Sequence, residues 1–240
     1  NDKLLKLSNT SFEVLTKNIG RSAIRNYLAR KAKYSWLLFL DCDAIVESLF
    51  IDKYINSMKS EVGSVIIGGM AYNLGEQKLR YKFGKKREEI HKEERKRNPQ
   101  KYFFSANFLI KSDVFNSVNF DESLKGYGYE DLMFAKGLKN KGWDLVHIEN
   151  PIFHGEVDDD EIFVVKTKQA LFNLVTLINT EKLEFSDTRI SLVYKRFYPL
   201  VLGLRYFYKL FEKMALSRSS LFFFDLFRLA YLSKLFENRN

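Results

Sequence analysis

The sequence predicts an α/β domain followed by a basic, aromatic helical segment, and three observations predict it. Trp36 to Leu40 is a continuous apolar run of strand length that ends at Asp41. Runs of this kind alternate with stretches whose apolar residues follow helical spacing. Beyond them the composition changes: Ser186 to Asn240 carry ten Lys/Arg against four Asp/Glu, and thirteen of the 37 aromatic residues. The expected division is an α/β domain over 1–185 and a helical tail over 186–240.

The elements follow in order. Phe12 to Thr16 reads as a short strand and Asn18-Ile19-Gly20 as the turn after it. Ile24, Tyr27, Leu28 and Ala32 share a helical face between Arg21 and Lys33, with Ser22 able to cap the start. Trp36 to Leu40 has the pattern of a strand in a sheet covered on both faces, and carboxylates at its C-terminal end sit where open α/β sheets bind ligands. Glu47 to Lys59 reads as a helix and Val62 to Met70 as a strand. Lys85 to Lys101 alternates signs at three- and four-residue intervals, as a solvated helix with side-chain ion pairs does; a basic lip beside an anionic substrate is the alternative. Tyr102 to Lys111 is strand-like, Gly126-Tyr127-Gly128 a loop, Tyr129 to Lys141 a helix, and Trp143 to Ile148 a strand followed by a loop at His154-Gly155. Asp158 to Asp160 open a long amphipathic helix reaching about Leu183, acidic where the helix dipole favours it.

Composition bounds the function. A chain of 240 residues, 46% hydrophobic and 29% charged, can bury a sizeable core, which argues against intrinsic disorder. A single cysteine, Cys42, excludes an intramolecular disulfide framework and multi-cysteine zinc clusters, and fits a reducing cytoplasmic compartment. No run approaches the ~18 uncharged apolar residues of a spanning helix, and NDKLLKLSNT lacks a signal-peptide core, so the expectation is a soluble or membrane-attached protein. The formal charge of +9 does not point to nucleic acid, because the charge run lacks interleaved aromatics and most of the excess lies in the tail.

Three groups of residues could carry chemistry. Asp41 and Asp43, ending a buried strand, can share a divalent cation through oxygen ligands, and such a cation neutralises a diphosphate; a strand-to-turn boundary with a capping Asp is the structural alternative. Glu130 and Asp131 follow the glycine loop. A carboxylate there can accept a proton from an attacking hydroxyl, although charge complementarity at a helix start also explains acidic residues. His154, beyond a strand, can complete a metal site with the Asp pair, or serve simply as a hydrogen-bonded loop residue.

Taken together and in order, the blocks Asn18-Ile19-Gly20-Arg21-Ser22-Ala23-Ile24-Arg25-Asn26, LLFLDCD, FFSANFLIK, FDESLKGYGYEDLMF and NPIFHGE resemble family 2 glycosyltransferases of the inverting type, which have the GT-A (Rossmann-like) fold. The resemblance covers roughly residues 9 to 180. It implies a metal-dependent enzyme of polysaccharide biosynthesis that moves a sugar from a nucleotide-diphosphate sugar, UDP-sugar first among them, to a glycan or lipid-linked acceptor. By this resemblance Asp41 and Asp43 match the DxD that meets Mn²⁺ or Mg²⁺, Asp131 matches the general base, and Glu130 contacts acceptor or shapes the loop. His154 matches a histidine that in some relatives completes the metal site. Arg25 and Asn26 match a helix packed beneath the nucleotide, and Phe104, Ser105 and Asn107 line the acceptor route. Gly126 and Gly128 would let the loop approach the sugar, with Tyr127 or Tyr129 stacking on it. The family's opening strand and the acidic block after it do not occur upstream of Phe12, so a shortened member or a fragment is expected, with a catalytically impaired binding module as the alternative. WLLFLDCDAIV also resembles the opening motif of haloacid-dehalogenase phosphatases, with Asp41 as nucleophile, but that reading needs a metal loop after an apolar strand, which GYGYED lacks.

In the tail, Tyr194 to Phe211 and Ser219 to Phe236 mix Phe, Tyr and Leu with Lys and Arg. Such helices either lie in the headgroup layer of an anionic membrane, on its cytoplasmic face, or pack on the catalytic domain.

Overall fold

The computed structural model describes residues 8–60, 63–73, 78–124, 126–154 and 158–237. Gly155 and Glu156, part of the last motif block, lie outside the described residues. Two small sheets form the centre. Strands β1 (Trp36–Leu40), β5 (Asn107–Lys111), β3 (Val65–Ile67) and β6 (Leu145–His147) make the first, in the order β1-β5-β3-β6. β1 and β3 both run antiparallel to β5, and β6 runs parallel to β3. Strands β2 (Ala44–Ile45), β7 (Ile152–His154) and β4 (Met70–Ala71) make the second, in the order β2-β7-β4.

The stretch from Val62 to Met70, expected as one strand, divides between the two sheets at Gly68-Gly69. Gly69 has φ +94°, and a Cβ there would stand 2.7 Å from Arg95 Cζ, so only glycine lets the chain turn from one sheet into the other at this point. The Tyr102 to Lys111 stretch forms ladder only from Asn107; the residues before it turn, burying Phe103 and carrying Ser105 toward the site. Phe12 to Thr16 forms no ladder, and Phe12, Val14 and Leu15 are exposed.

Helices cover the sheets: α1 (Arg21–Lys31), α2 (Phe50–Lys59), α3 (Leu79–Arg87), α4 (Lys92–Arg97), α5 (Ser112–Val118), α6 (Glu130–Asn140) and α7 (Asp160–Asn179). Alternation along β1 sends Leu37 and Phe39 to one core and Trp36 and Leu38 to another, as a strand covered on both faces requires. The first core is built on aromatic stacking, with the Phe120 and Phe134 rings parallel at 4.2 Å and Phe39 on Phe108 at 4.7 Å.

The charge run is largely solvated and carries the expected ion pairs, Lys85–Glu89 and Lys96–Glu93, but it divides between two helices and one of its members is buried. Lys85–Arg87 end α3, and α4 turns inward, burying Arg95 to 2% exposure. Its guanidinium donates to the carbonyls of Ile90 and Ile148 at 2.9 and 3.0 Å and meets His147 Nδ1 at 3.1 Å. Burial holds His147 neutral, lowering its pKa to about 4.

Beyond α7 come α8 (Arg189–Arg196), α9 (Tyr198–Leu204), α10 (Tyr208–Arg218) and α11 (Leu221–Glu237), with short 3₁₀ turns at Phe185–Asp187 and Arg205–Phe207. α11 is a core helix: Phe224, Phe227, Ala230 and Leu232 are wholly buried. Leu232 and Phe236 join Leu171, Leu174, Val175 and Leu177 of α7 in one cluster with Tyr194 and Val201. Of the two alternatives for Ser219 to Phe236, packing on the rest of the chain is the one observed. Among the described residues no helix is long and apolar enough to cross a membrane.

Candidate active site

The acidic end of β1 is shaped by hydrogen bonding. The Asp41 N–H donates to the Ala106 carbonyl at 3.2 Å, extending the ladder by one rung, and the Asp41 carbonyl accepts from Ala44 N at 3.1 Å, closing a turn with Cys42 and Asp43 at its tip. β2 then pairs with β7 so that Ala44 faces His154. This register is what brings together residues 111 positions apart: Asp43 Oδ2 and His154 Nδ1 are 3.6 Å from one another. Asp41 turns the other way, to Arg25 Nη2 on α1 at 3.1 Å. Arg25 is buried, and its Nη1 has no partner.

Asp131 sits in the first turn of α6. Its Oδ2 accepts from the Ser105 N–H at 3.1 Å. The residue keeps some exposed surface, but its Oδ1 is enclosed and has no hydrogen-bond partner among the described residues. Burial, followed by the neighbouring Glu130 charge, raises the Asp131 pKa to about 6, against the opposing pull of Arg25 and the Ser105 N–H. A carboxyl tuned in this way, in a cavity, has the properties of a general base near neutral pH.

Asp41, Asp43, His154 and Asp131 line one cavity of about 530 Å³, with Ser105 and Phe104 beside them. Four cations share its walls, Arg21, Arg25, Arg80 and Lys166. Arg80 is buried, with Nη2 on the Tyr72 hydroxyl and on Glu88, both at 3.0 Å, and with Nη1 unpartnered. Tyr72 also bonds Glu88 and lays its ring 5.2 Å from the His154 ring. Lys166, on α7, holds Asp158 at 2.6 Å. Asp160, the first residue of α7, accepts from the Leu79 and Arg80 N–H groups at 2.9 and 2.8 Å, so one carboxylate satisfies the start of α3 and fixes it to the start of α7.

The remaining expected residues divide. Arg25, Phe104, Ser105 and Tyr127 reach the cavity. Tyr127 carries Arg21 and Lys166 over its ring, at 4.7 and 5.6 Å from the centroid, so that ring is engaged by cations rather than left free for a sugar. Asn107 does not reach it. Its Oδ1 accepts from Tyr54 at 2.7 Å and its Nδ2 donates to the carbonyls of Gly69 and Asn150, which uses the amide to link the two sheets. Asn26 pairs both polar atoms with the Phe120 backbone, each at 2.9 Å. Glu130 is buried, accepting from the Gly128 N–H at 2.9 Å and facing Arg21 at 3.6 Å, so it shapes the loop. Tyr129 turns into the α7–α11 core instead of the cavity, and its αL conformation starts α6. Gly128, φ +100°, packs on Ala170 of α7, where a Cβ would come within 2.5 Å; Gly126 lines an adjoining cavity of about 470 Å³ at the start of α1.

Among the described residues no group of three or more His, Cys, Asp or Glu side chains is placed to hold a metal ion. The Asp43–His154 pair alone offers an oxygen and a nitrogen ligand close enough to share one cation. That number suits an ion whose remaining ligands are phosphate oxygens and water. The phosphatase reading gains nothing from the site: Asp41 is held by Arg25, and the lysine of the cavity, Lys166, is held by Asp158.

No family model matches the sequence, and no curated protein matches it. Among solved structures, S. aureus TarS 1-349 overlays with a TM-score of 0.44 and 10% identity, over 94% of this chain and 74% of that one.

Proposed function

We propose that the protein is a glycosyltransferase that moves a sugar from a nucleotide-diphosphate donor to an acceptor hydroxyl with inversion. The observation that carries this reading is Asp131: a carboxylate with one free, enclosed oxygen and a pKa of about 6, in the same cavity as Asp41, Asp43, His154 and four cations. A base at one wall and a diphosphate-binding set at another is the division of labour that inverting transfer needs.

In the proposed reaction the Asp131 carboxylate takes the proton of the acceptor hydroxyl as that oxygen bonds to the anomeric carbon. The anomeric carbon–oxygen bond to the diphosphate breaks on the opposite face, and the electron pair leaves on the phosphate oxygen. Asp43 and His154 would hold Mn²⁺ or Mg²⁺, which supplies charge neutralisation to the diphosphate. Arg25 and Arg80 line this cavity, and guanidinium groups suit phosphate oxygens. Ser105 positions the base through its N–H. Asp41 and Asp43 lie in the turn between β1 and β2, each of which is tied by its ladder, and this preorganises the carboxylates.

The experiment is incubation of the chain with a panel of nucleotide sugars and Mn²⁺, following nucleoside diphosphate release. Release by the unaltered chain, abolished in Asp131→Asn with nucleoside diphosphate binding retained, is the expected result. A chain that neither binds a nucleoside diphosphate nor releases one from any donor overturns the proposal.

A further inference from the structure

The structure sorts the aromatic residues of the C-terminal segment into two sets. Most of those of α11 are spent in the core, with Phe224 and Phe227 wholly buried, while Phe222 at its start is exposed. Between α8 and the start of α10 Tyr194 is buried, but Phe197, Tyr206 and Phe207 are exposed together with Leu192, Leu200 and Leu210, Leu200 and Tyr206 to 76% and 74%. Lys195-Arg196-Phe197-Tyr198-Pro199-Leu200 forms a corner between α8 and α9 in which six consecutive residues are exposed. An apolar surface of this extent is not explained by the packing of the chain itself.

Charge decides what covers it. Between Arg189 and Lys213 stand Arg189, Lys195, Arg196, Arg205, Lys209 and Lys213, against Glu212 alone among acidic residues. A second copy packed through this surface by two-fold symmetry would oppose like charges. A layer of lipid phosphates with hydrocarbon beneath it complements both the cations and the apolar side chains. We infer that the α8–α10 surface docks on an anionic bilayer, Phe197, Leu200, Tyr206, Phe207 and Leu210 entering the interface while Lys195, Arg196, Lys209 and Lys213 meet the headgroups.

The surface is preformed. Val201 of α9 is buried beneath it, and Glu237 at the end of α11 accepts from Tyr198 and from Arg205, both at 2.9 Å. Arg205 also stacks on Tyr206, 4.9 Å from its ring centroid. Little ordering is therefore required on docking, and that favours binding. The inference stands apart from the proposed reaction, since none of these residues lines the cavity at Asp131.

The test is flotation of the full chain with vesicles of phosphatidylcholine alone and of phosphatidylcholine with about one-third phosphatidylglycerol. The expected result is binding to the anionic vesicles only, weakened about tenfold between about 50 and 500 mM salt. Lys195→Glu with Arg196→Glu, and separately Leu200→Ser with Phe207→Ser, should each reduce binding at least about fivefold, with the unfolding midpoint and nucleoside diphosphate release unchanged. Equal binding to both vesicle types, no binding to either, or binding that survives both pairs of changes overturns the inference. So does a chain that dimerises in solution through these residues and loses the dimer, rather than the vesicle, in the Leu200→Ser, Phe207→Ser variant.

Discussion

Replacing Asp131 by Asn should make the protein more stable and inactive at once. An Asp131 carboxyl that titrates at about 6 in the folded chain and 3.8 when unperturbed is ionised in the fold at an energetic penalty. At about 1.4 kcal/mol per pH unit the difference is about 3 kcal/mol at pH 7.5. The sign follows from linkage: a folded pKa above the unfolded one means that this group's contribution to stability falls as pH rises from 3.8 through about 6. Asn keeps the acceptor for the Ser105 N–H but places an amide N–H where Oδ1 had no partner, which costs about 1–2 kcal/mol. The net gain at pH 7.5 is about 1–2 kcal/mol, or about 2–8 °C in Tm for a chain of this size. Chemical denaturation should also show the gain shrinking by about 2 kcal/mol between pH 7.5 and 4.5, where the carboxyl becomes neutral. Nucleoside diphosphate release should fall about 10²- to 10⁴-fold, and in the unaltered chain it should rise with pH through about 6, the value that burial, the Glu130 charge and the opposing Arg25 set. A variant that is less stable at pH 7.5, with no pH dependence in the difference, would refute the burial argument. One that still releases diphosphate at the original rate would refute the role as base.

Four further outcomes follow from the same geometry. Asp43→Asn or His154→Ala should weaken binding of Mn²⁺ with a nucleoside diphosphate by about 10- to 100-fold in calorimetry, with little change in the unfolding midpoint for Asp43→Asn, because the Asp43–His154 pair lies in a cavity wall rather than in a core cluster. Asn26→Asp should destabilise the chain by about 3 kcal/mol in denaturant titration, since the new carboxylate faces the Phe120 carbonyl and Glu122 where an amide donated, and lowering the pH should recover part of it. Arg95→Ala should cost about 3–5 kcal/mol, and Arg95→Lys should recover less than half, because an ammonium cannot reach carbonyls on both sides of the sheet edge. His147 is held neutral with a pKa of about 4, so stability from this group is lost as pH falls from 6.5 to about 4; His147→Gln should flatten that loss in urea titrations at pH 4.5 and 7.

What the sequence made legible was whatever depends on local pattern. The run WLLFL announces a covered strand, so the pattern alone places Asp41 and Asp43 at its end. The pairing of Asp43 with His154 is different: it depends on the register of β2 on β7, and two-residue strands leave no periodicity to read. Asn107 and Asn26 show why a polar residue in a buried element is ambiguous. An amide can face a ligand or satisfy backbone groups at a junction, and both residues do the latter. Arg80, Lys166 and Arg95 were invisible for the opposite reason. Arg95 sits in a run of alternating sign, which describes a solvated face equally well whether one member turns inward or not, while Arg80 and Lys166 lie near other lysines in helices whose pattern does not say which cation faces the cavity. The tail shows the same limit, because apolar content alone does not distinguish α11, which is core, from α9, which is surface.

Arg95 has a consequence for how such a chain can change over time. Its partners are mostly main-chain carbonyls, which every residue type supplies. Substitution of Ile90 or Ile148 therefore leaves the anchor's acceptors in place, whereas Gly69 leaves no room for a side chain beside the guanidinium. Drift in this part of the chain should accordingly be uneven, with a fixed arginine and glycine far apart in sequence and permissive positions between them. Charge at position 95 would then be inherited together with the absence of a side chain at position 69, a pairing that a set of related sequences would display without any structure being known.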